Sequence, residues 1–143
     1  MSQLETWSSP PKSLSLQTGE VHVWRIELEQ PNDLLKNFRA TLDPDELERA
    51  RRFHFDKHRR HFIVGRGFLR NILGRYLEVE PAALRFSYGP YGKPALAGEY
   101  ENSKLRFNLS HSHNLALFAI TEEKHLGVDV ELVATGLGSG TGG

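Results

Sequence analysis

Cysteine is absent from the 143-residue chain. Its absence excludes a disulfide scaffold, a thiol nucleophile and any cysteine-ligated metal site. Long apolar runs are missing too, because no stretch approaches the roughly 18 apolar residues of a membrane span and the polar N-terminal residues contain no signal-peptide core. There is no net charge, since 18 basic residues balance 18 acidic ones. We therefore expect a cytoplasmic protein that binds neither nucleic acid nor membranes, whose general binders rely on excess Lys and Arg.

The composition that remains is that of one soluble domain, with 38% hydrophobic and 25% charged residues. A chain of this size buries roughly two-thirds of its unfolded surface, so folding requires no structural metal. Residues 1–18 are rich in Ser and contain Pro10-Pro11, which indicates a flexible arm. We expect the folded lobe to cover residues 19–133. The Gly-rich residues 134–143 resemble a flexible linker or an artificial end.

Local patterns predict the first elements of this lobe. Residues 21–28 alternate at period two, with Trp24 on one face and Val23 on the other, which predicts a strand. Apolar residues at helical spacing through 34–42 predict a short amphipathic helix. Asp43-Pro44 then marks the start of a second, basic helix, because Asp caps free N–H groups and Pro suits the first helical turn.

A second helix start at Asp56 opens the longest periodic segment, whose single apolar stripe predicts the core helix. The stripe consists of Phe62, Gly65, Leu69, Ile72, Leu73, Tyr76 and Leu77. Short apolar runs at 105–109, 115–121 and 128–133 predict three strands of an antiparallel meander, with a polar turn at Ser110–Asn114 between the first two. Together these elements predict an α+β fold, a small antiparallel sheet packed on a long helix.

Asp129 and Glu131 are two positions apart within an apolar run, so on a strand both carboxylates project from the same face. Two such oxygen donors, about 7 Å apart, can reach one Mg²⁺, which takes one or two protein carboxylates and completes its shell with water and phosphate oxygens. Mn²⁺ suits the same ligands. The alternative is an ordinary strand with one solvated face.

The segment 107–113 ends a predicted strand in small polar residues and two histidines. Its backbone N–H groups, the Ser110 hydroxyl and the His111 imidazole can together bind phosphate oxygens. A hairpin turn in which Asn108 and Ser110 satisfy local backbone groups is the plainer interpretation. A serine nucleophile is a third alternative, although the glycine-flanked nucleophile elbow is missing.

Other basic residues leave two interpretations open. Lys93 stands between Gly92, which permits close backbone approach, and Pro94, which rigidifies the chain, but the segment is not a P-loop. Several cations lie in the predicted basic helix and in the segment that follows it, and they form either a phosphate-facing surface or, for most of them, a solvated face balanced by nearby acids. They are Arg49, Arg51, Arg52, His58, Arg59, Arg60 and His61.

The order of these motifs resembles the N-terminal half of the surfactin-synthetase-type 4′-phosphopantetheinyl transferases. The resemblance covers residues 20–133 and rests on Arg49 to Phe53, Gly92-Lys93-Pro94, residues 107–112 and residues 127–131. It implies one lobe of a pseudo-twofold fold. It also implies Mg²⁺-dependent transfer of phosphopantetheine from coenzyme A to a serine of an apo acyl or peptidyl carrier protein, with adenosine 3′,5′-bisphosphate as leaving group.

The resemblance also implies roles for single residues. Arg49 matches a basic position that pairs with the 3′-phosphate of coenzyme A, and Asp129 and Glu131 match the metal-binding carboxylates. With His111, these two carboxylates form the implied catalytic set. The remaining implied coenzyme A contacts are Tyr88, Gly92, Lys93 and Pro94 near the adenine and phosphates, and Asn108, Ser110 and His111 in a phosphate-gripping turn.

One departure qualifies the resemblance. The family's second half carries a Trp-x-x-Lys-Glu-x-x-x-Lys motif, and nothing in this sequence matches it, since Trp7 and Trp24 both precede the predicted metal strand. We therefore expect half of such an enzyme, which either pairs with a second copy as a homodimer or exposes an apolar face. The alternative function is a coenzyme A or carrier-protein binding module without catalysis.

Overall fold

The computed structural model of the chain describes Leu16 and residues 19–122. The three α-helices and five strands of these described residues confirm the predicted α+β class. In chain order they are β1 (His22–Glu27), α1 (Asn32–Arg39), α2 (Pro44–Arg52), α3 (Asp56–Leu77), β2 (Arg85–Tyr88), β3 (Pro94–Ala97), β4 (Leu105–Ser112) and β5 (Leu115–Glu122). The predicted tail at 134–143, the strand predicted at 128–133 and, apart from Leu16, the predicted arm lie outside the described residues. Within the described part of the chain, no helix has the length and apolar character needed to cross a membrane.

The main sheet has the strand order β1-β5-β4, and both of its pairings are antiparallel. The predicted hairpin of β4 and β5 is confirmed. The other neighbour of β5 is β1, which comes from the start of the lobe, whereas a meander would place the next strand in sequence there. An alternating pattern predicts that a segment forms a strand, but it does not predict which other strand it pairs with. Pairing depends on contacts between segments that are far apart in the chain.

The predicted turn at Ser110–Asn114 is too long. Strand β4 continues through Ser112, which pairs with Leu115, and only His113 and Asn114 connect the two strands. His113 adopts a φ of 55°, the left-handed conformation found in two-residue hairpins. Ladder hydrogen bonds to β5 therefore outweigh the turn preference of the two serines. The sequence analysis also missed β3, which pairs with β2 in a separate two-stranded sheet.

The core lies between the main sheet and α3. Leu69 and Leu73, from the predicted stripe, are fully buried there, and Trp24 packs on the same side of the sheet. The Trp24 indole Nε1 donates a hydrogen bond of 3.0 Å to the Tyr76 hydroxyl. Burial raises the pKa of Tyr76 well above its ordinary value. Val23 belongs to a second, smaller cluster on the opposite face, so the predicted alternation of β1 is confirmed.

Close packing of α1 on α3 requires a glycine at position 67. A Cβ added there would lie 2.4 Å from both Cβ and Cγ of Phe38, so α1 would have to move. We expect Gly67→Ala to lower the free energy of unfolding by about 1–3 kcal/mol through overpacking, measured by urea denaturation. Gly65→Ala is the matched control, because its Cβ would meet only Leu28 Cδ2 at 3.7 Å. The control should be neutral or stabilising by up to about 1 kcal/mol, and equal losses in both variants would contradict this account.

Candidate functional site

Helix α2 positions the first predicted site residue, and a capping box fixes where this helix begins. Asp43 Oδ1 accepts a hydrogen bond of 2.8 Å from the Glu46 backbone N–H, and Glu46 Oε1 accepts one of 3.0 Å from the Asp43 backbone N–H. Pro44 occupies the first turn. Arg49 follows Glu46 by three residues, so both side chains lie on the same side of α2.

Glu46 is also the centre of a buried charge cluster that joins α2 to α3. Arg70 and Glu46 have 0% exposure and Arg66 has 7%. Arg70 Nε donates to Glu46 Oε1 at 2.8 Å, and Arg66 Nη1 lies 3.3 Å from Glu46 Oε2. Because each buried ion has opposite charge and hydrogen bonds around it, the cluster holds the two helices in one arrangement.

The two arginines of this cluster also hold the segment around β2. Arg70 Nη1 donates to the carbonyl oxygens of Pro81 and Leu84, each at 2.8 Å. Arg66 Nη1 donates to the Tyr88 hydroxyl at 2.7 Å. The predicted site residue Tyr88 is therefore placed by a side chain of the core helix. The sequence analysis missed both arginines. Their spacing of four residues, directly after Gly65 and Leu69 of the apolar stripe, could have indicated two buried charges on one side of α3.

The Arg49 guanidinium lies between two aromatic rings. It is 4.7 Å from the Tyr88 ring centroid and 5.8 Å from that of Phe62. A Cβ at Gly92 would lie 3.4 Å from Arg49 Nη2, and Gly92 has a φ of 79°, so a glycine suits this close turn. Within the described residues no carboxylate lies within 4 Å of Arg49. The guanidinium is held in place and has donors available for an anion.

Arg49 borders a cavity of about 540 Å³ between α3 and the end of the β4–β5 hairpin. Its floor is apolar and contains Leu28, Phe62 and Phe118. No carboxylate occurs among its described lining residues. Seven basic side chains line it, and we call it the cationic cavity: Arg49, Lys57, His58, His61, Arg66, His111 and His113. Such a cavity favours a ligand that has both anionic groups and an apolar or aromatic part.

One histidine that lines the cationic cavity, His61, pairs with a glutamate, Glu29. His61 Nε2 lies 2.7 Å from Glu29 Oε2. The hydrogen bond from His61 holds the pKa of Glu29 below its ordinary value. Because the folded-state pKa is lowered, the pair stabilises the fold above the ordinary carboxyl pKa, and this contribution is lost as the pH falls through the lowered value.

We expect His61→Gln to return the pKa of Glu29 toward that of a free glutamate, since the principal cause of its lowering is removed. Titration of the Glu29 carboxyl carbon by NMR measures this shift. His58→Gln, a substitution in the same cavity, is the control and should leave the Glu29 pKa unchanged. A pKa that stays low in His61→Gln would contradict the assignment.

The structure brings together part of the predicted site. Arg49, Ser110 and His111 line the cationic cavity, and Tyr88 and Gly92 contact Arg49. The neighbouring Lys93 is exposed, whereas Pro94 is buried at the start of β3. Asn108 lies apart from these residues. It pairs with Ala119 in the row that includes Val23, on the sheet face opposite the core, and it is not among the residues that line the cavity.

The two predicted metal ligands, Asp129 and Glu131, lie outside the described residues. Between Leu16 and Glu122, the described part of the chain contains no group of three His, Asp or Glu side chains that could hold a metal ion. The basic residues at the start of α3 divide into two groups. Lys57, His58 and His61 line the cationic cavity, although sequence reasoning favoured a solvated face for most of this segment, and Arg59 and Arg60 line a separate groove. Helical spacing explains the division, since residues 57, 58 and 61 share one side of α3.

Comparison with known proteins identifies the family. Residues 27–123 match the family model described as 4′-phosphopantetheinyl transferase, N-terminal. The chain is 52% identical over 126 residues to the 4′-phosphopantetheinyl transferase HetI of Nostoc sp., an alignment that covers 88% of this chain and 53% of HetI. It is 32% identical over 111 residues to a putative 4′-phosphopantetheinyl transferase of Synechocystis sp., covering 78% of this chain and 44% of that protein.

A more distant relative is the 4′-phosphopantetheinyl transferase Sfp of Bacillus subtilis, which is 25% identical over 111 residues, covering 76% of this chain and 48% of Sfp. The chain thus spans about half the length of these curated relatives. The family match begins at Glu27, the last residue of β1, and continues through β5, so it includes α2, α3 and the β4–β5 hairpin, which line the cationic cavity. We conclude that the chain belongs to the 4′-phosphopantetheinyl transferase family and corresponds to its N-terminal part.

Proposed function

We propose that the chain supplies the coenzyme A-binding half of an enzyme that transfers 4′-phosphopantetheine to a serine of an apo acyl or peptidyl carrier protein in the cytoplasm. One observation carries the proposal. The Arg49 guanidinium is fixed against Tyr88, has no carboxylate near it among the described residues, and borders a cavity with cations above an apolar floor. Coenzyme A has the matching chemistry, since it combines phosphates with an aromatic base and a long thiol-ended arm.

In this proposal Arg49 binds the 3′-phosphate of coenzyme A. A planar guanidinium donates two parallel hydrogen bonds to phosphate oxygens, which gives both affinity and orientation. The turn at Gly92 lies beside the Arg49 guanidinium in space, and the neighbouring, exposed Lys93 supplies a further cation. Ser110 and His111 approach from the end of β4 and are assigned to the pyrophosphate. These roles follow the family resemblance, and the placement of Arg49, Ser110 and His111 on one cavity supports them.

The transfer step is a displacement at phosphorus. The serine oxygen of the carrier protein forms a bond to the β-phosphorus of coenzyme A while the bond to adenosine 3′,5′-bisphosphate breaks. The serine proton passes to a base that lies outside the described residues. Asp129 and Glu131 are the carboxylates proposed to hold Mg²⁺ or Mn²⁺, and such an ion would offset the charge that develops on the phosphate oxygens. The described residues bind and orient the donor.

Calorimetric titration of coenzyme A into the chain tests this proposal. We expect binding in the presence of Mg²⁺ that weakens by about tenfold or more in EDTA and in Asp129→Ala, because the pyrophosphate would lose its counter-ion. Asp33→Ala, which removes an exposed acid at the start of α1, is the control and should bind like the wild type. No binding to a folded sample would contradict the proposal. Mg²⁺-dependent transfer to an apo carrier protein would eliminate the non-catalytic module, whereas binding without transfer fits both alternatives.

The homodimer expected from the sequence is a separate proposal. Light scattering at micromolar to millimolar concentration measures the mass directly. A mass twice the 16.2 kDa of the chain would support a pair of lobes, and a monomer at every concentration would contradict it.

A further inference from the structure

A second cavity of about 420 Å³ lies where the three helices meet, and it shares no described lining residue with the cationic cavity. Each helix contributes one face, because the lining residues of each helix are three or four positions apart. We call this surface the arginine groove. It is lined by Leu35 and Arg39 of α1, Leu47, Ala50 and Arg51 of α2, and Asp56, Arg59, Arg60 and Ile63 of α3.

The floor of the arginine groove is apolar. Leu35, Ala50 and Ile63 are buried in the core cluster, and Leu47 is partly buried beside them. An aliphatic side chain lying in the groove would therefore contact hydrocarbon. A small inorganic anion would make no use of this floor.

The rim of the arginine groove is cationic, with four arginines and one carboxylate. Two of these arginines have acidic neighbours, since Arg51 pairs with Glu48 at 3.2 Å and Arg59 with Asp56 at 3.7 Å. Arg39 and Arg60 have no carboxylate within 4 Å in the part of the chain described here.

Hydrogen bonds to the backbone hold two of the rim arginines in place. Arg60 Nη2 donates to the Gln30 carbonyl oxygen at 3.3 Å, and Arg59 Nη1 donates to the Phe53 carbonyl oxygen at 2.6 Å. The groove therefore presents arginines that are held in place beside an apolar floor.

We infer that the arginine groove docks an acidic amphipathic helix of a partner protein. A helix with an apolar ridge at spacings of three and four places that ridge on the floor, as in other helix-in-groove complexes. Glu or Asp residues beside the ridge then meet the rim arginines, and such charge complementarity determines partner choice and association rate. The inference uses only α1, α2 and α3 and does not depend on the proposed coenzyme A site.

Fluorescence anisotropy with a labelled synthetic helix tests the inference. The probe carries Leu at every third or fourth position and Glu beside each Leu, and the chain carries Arg39→Gln with Arg60→Gln. We expect affinity to fall about tenfold in this double variant, since each removed charge pair contributes up to about fivefold. Arg75→Gln, an exposed arginine near the other end of α3, is the matched control and should change affinity less than twofold.

Two altered peptides separate docking from general anion binding. Replacing each Glu of the probe by Gln, or each ridge Leu by Ser, should weaken binding at least tenfold. The unfolding midpoint of the double variant, measured by circular dichroism, should equal that of the wild type. No binding of the probe to the folded wild type would overturn the inference. Equal binding of the Leu-to-Ser peptide, or displacement of the probe by tripolyphosphate, would also overturn it by identifying a surface for anions in general.

Discussion

Replacing Glu46 by Gln is expected to lower the free energy of unfolding by about 3–5 kcal/mol, the range found when one partner of a buried ion pair is removed. Glu46 is fully buried and its carboxylate contacts both Arg66 and Arg70. The variant would leave the buried Arg66 without its carboxylate partner, and Arg70 would keep only Asp43, whose Oδ2 lies 3.2 Å from its Nη2. The same carboxylate closes the capping box of α2, a role that the amide oxygen of Gln also fills, so the expected loss comes from the ion pairs.

Urea denaturation measures this loss, and Glu48→Gln is the matched control. Glu48 is on the same helix and pairs with Arg51 and Arg52, but its side chain is 49% exposed. Exposed pairs of this kind contribute between 0 and about 1 kcal/mol. If both substitutions lowered stability by the same small amount, the buried cluster would not hold α2 against α3 in the way described.

The second large effect is expected in ligand affinity. Arg49→Gln should weaken coenzyme A binding about a hundredfold, because a bidentate, charge-assisted contact with a phosphate is replaced by a neutral amide. The substitution should raise the dissociation rate more than it lowers the association rate, since the other cations of the cavity still attract the ligand. Calorimetry gives the affinity, and stopped-flow fluorescence separates the two rates.

Arg52→Gln is the control for this substitution. Arg52 lies on the same helix three residues later, is exposed and pairs with Glu48. Its replacement should change coenzyme A affinity less than twofold while removing the same formal charge. Equal losses in the two variants would mean that net charge, rather than the position of Arg49 beside Tyr88, determines binding.

Much of the fold could be predicted from sequence because its signals are local. Strand β1, the start of α2 and the whole of α3 follow from alternation, a cap and a period of 3.6 residues. The pairing of β1 with β5 could not be predicted, since it joins segments 88 to 98 residues apart in the chain, from Glu27 opposite Leu115 to His22 opposite Ile120. Strand β3 was missed because four residues beginning at a proline give almost no periodic signal.

The candidate site could be predicted in part. Arg49, Ser110 and His111 were identified from motifs, and they line one cavity. Arg66 and Arg70 were missed because charges on an apolar helix face are recognised as partners only when Glu46 is seen between them. The extended strand β4 separates the faces of neighbouring residues, which is why Asn108 lies away from His111. The sequence analysis predicted a turn from Ser110, and a turn does not have the alternating faces of a strand, so this separation could not be predicted.

The most direct test of the central claim compares coenzyme A with 3′-dephospho-coenzyme A by calorimetry in the wild type and in Arg49→Gln. If Arg49 binds the 3′-phosphate, the wild type should prefer coenzyme A by tens of fold or more, and the variant should bind both ligands with nearly the same affinity. Equal binding of the two ligands by the wild type, or a preference unchanged in the variant, would contradict the assignment of the cationic cavity to the 3′-phosphate of coenzyme A.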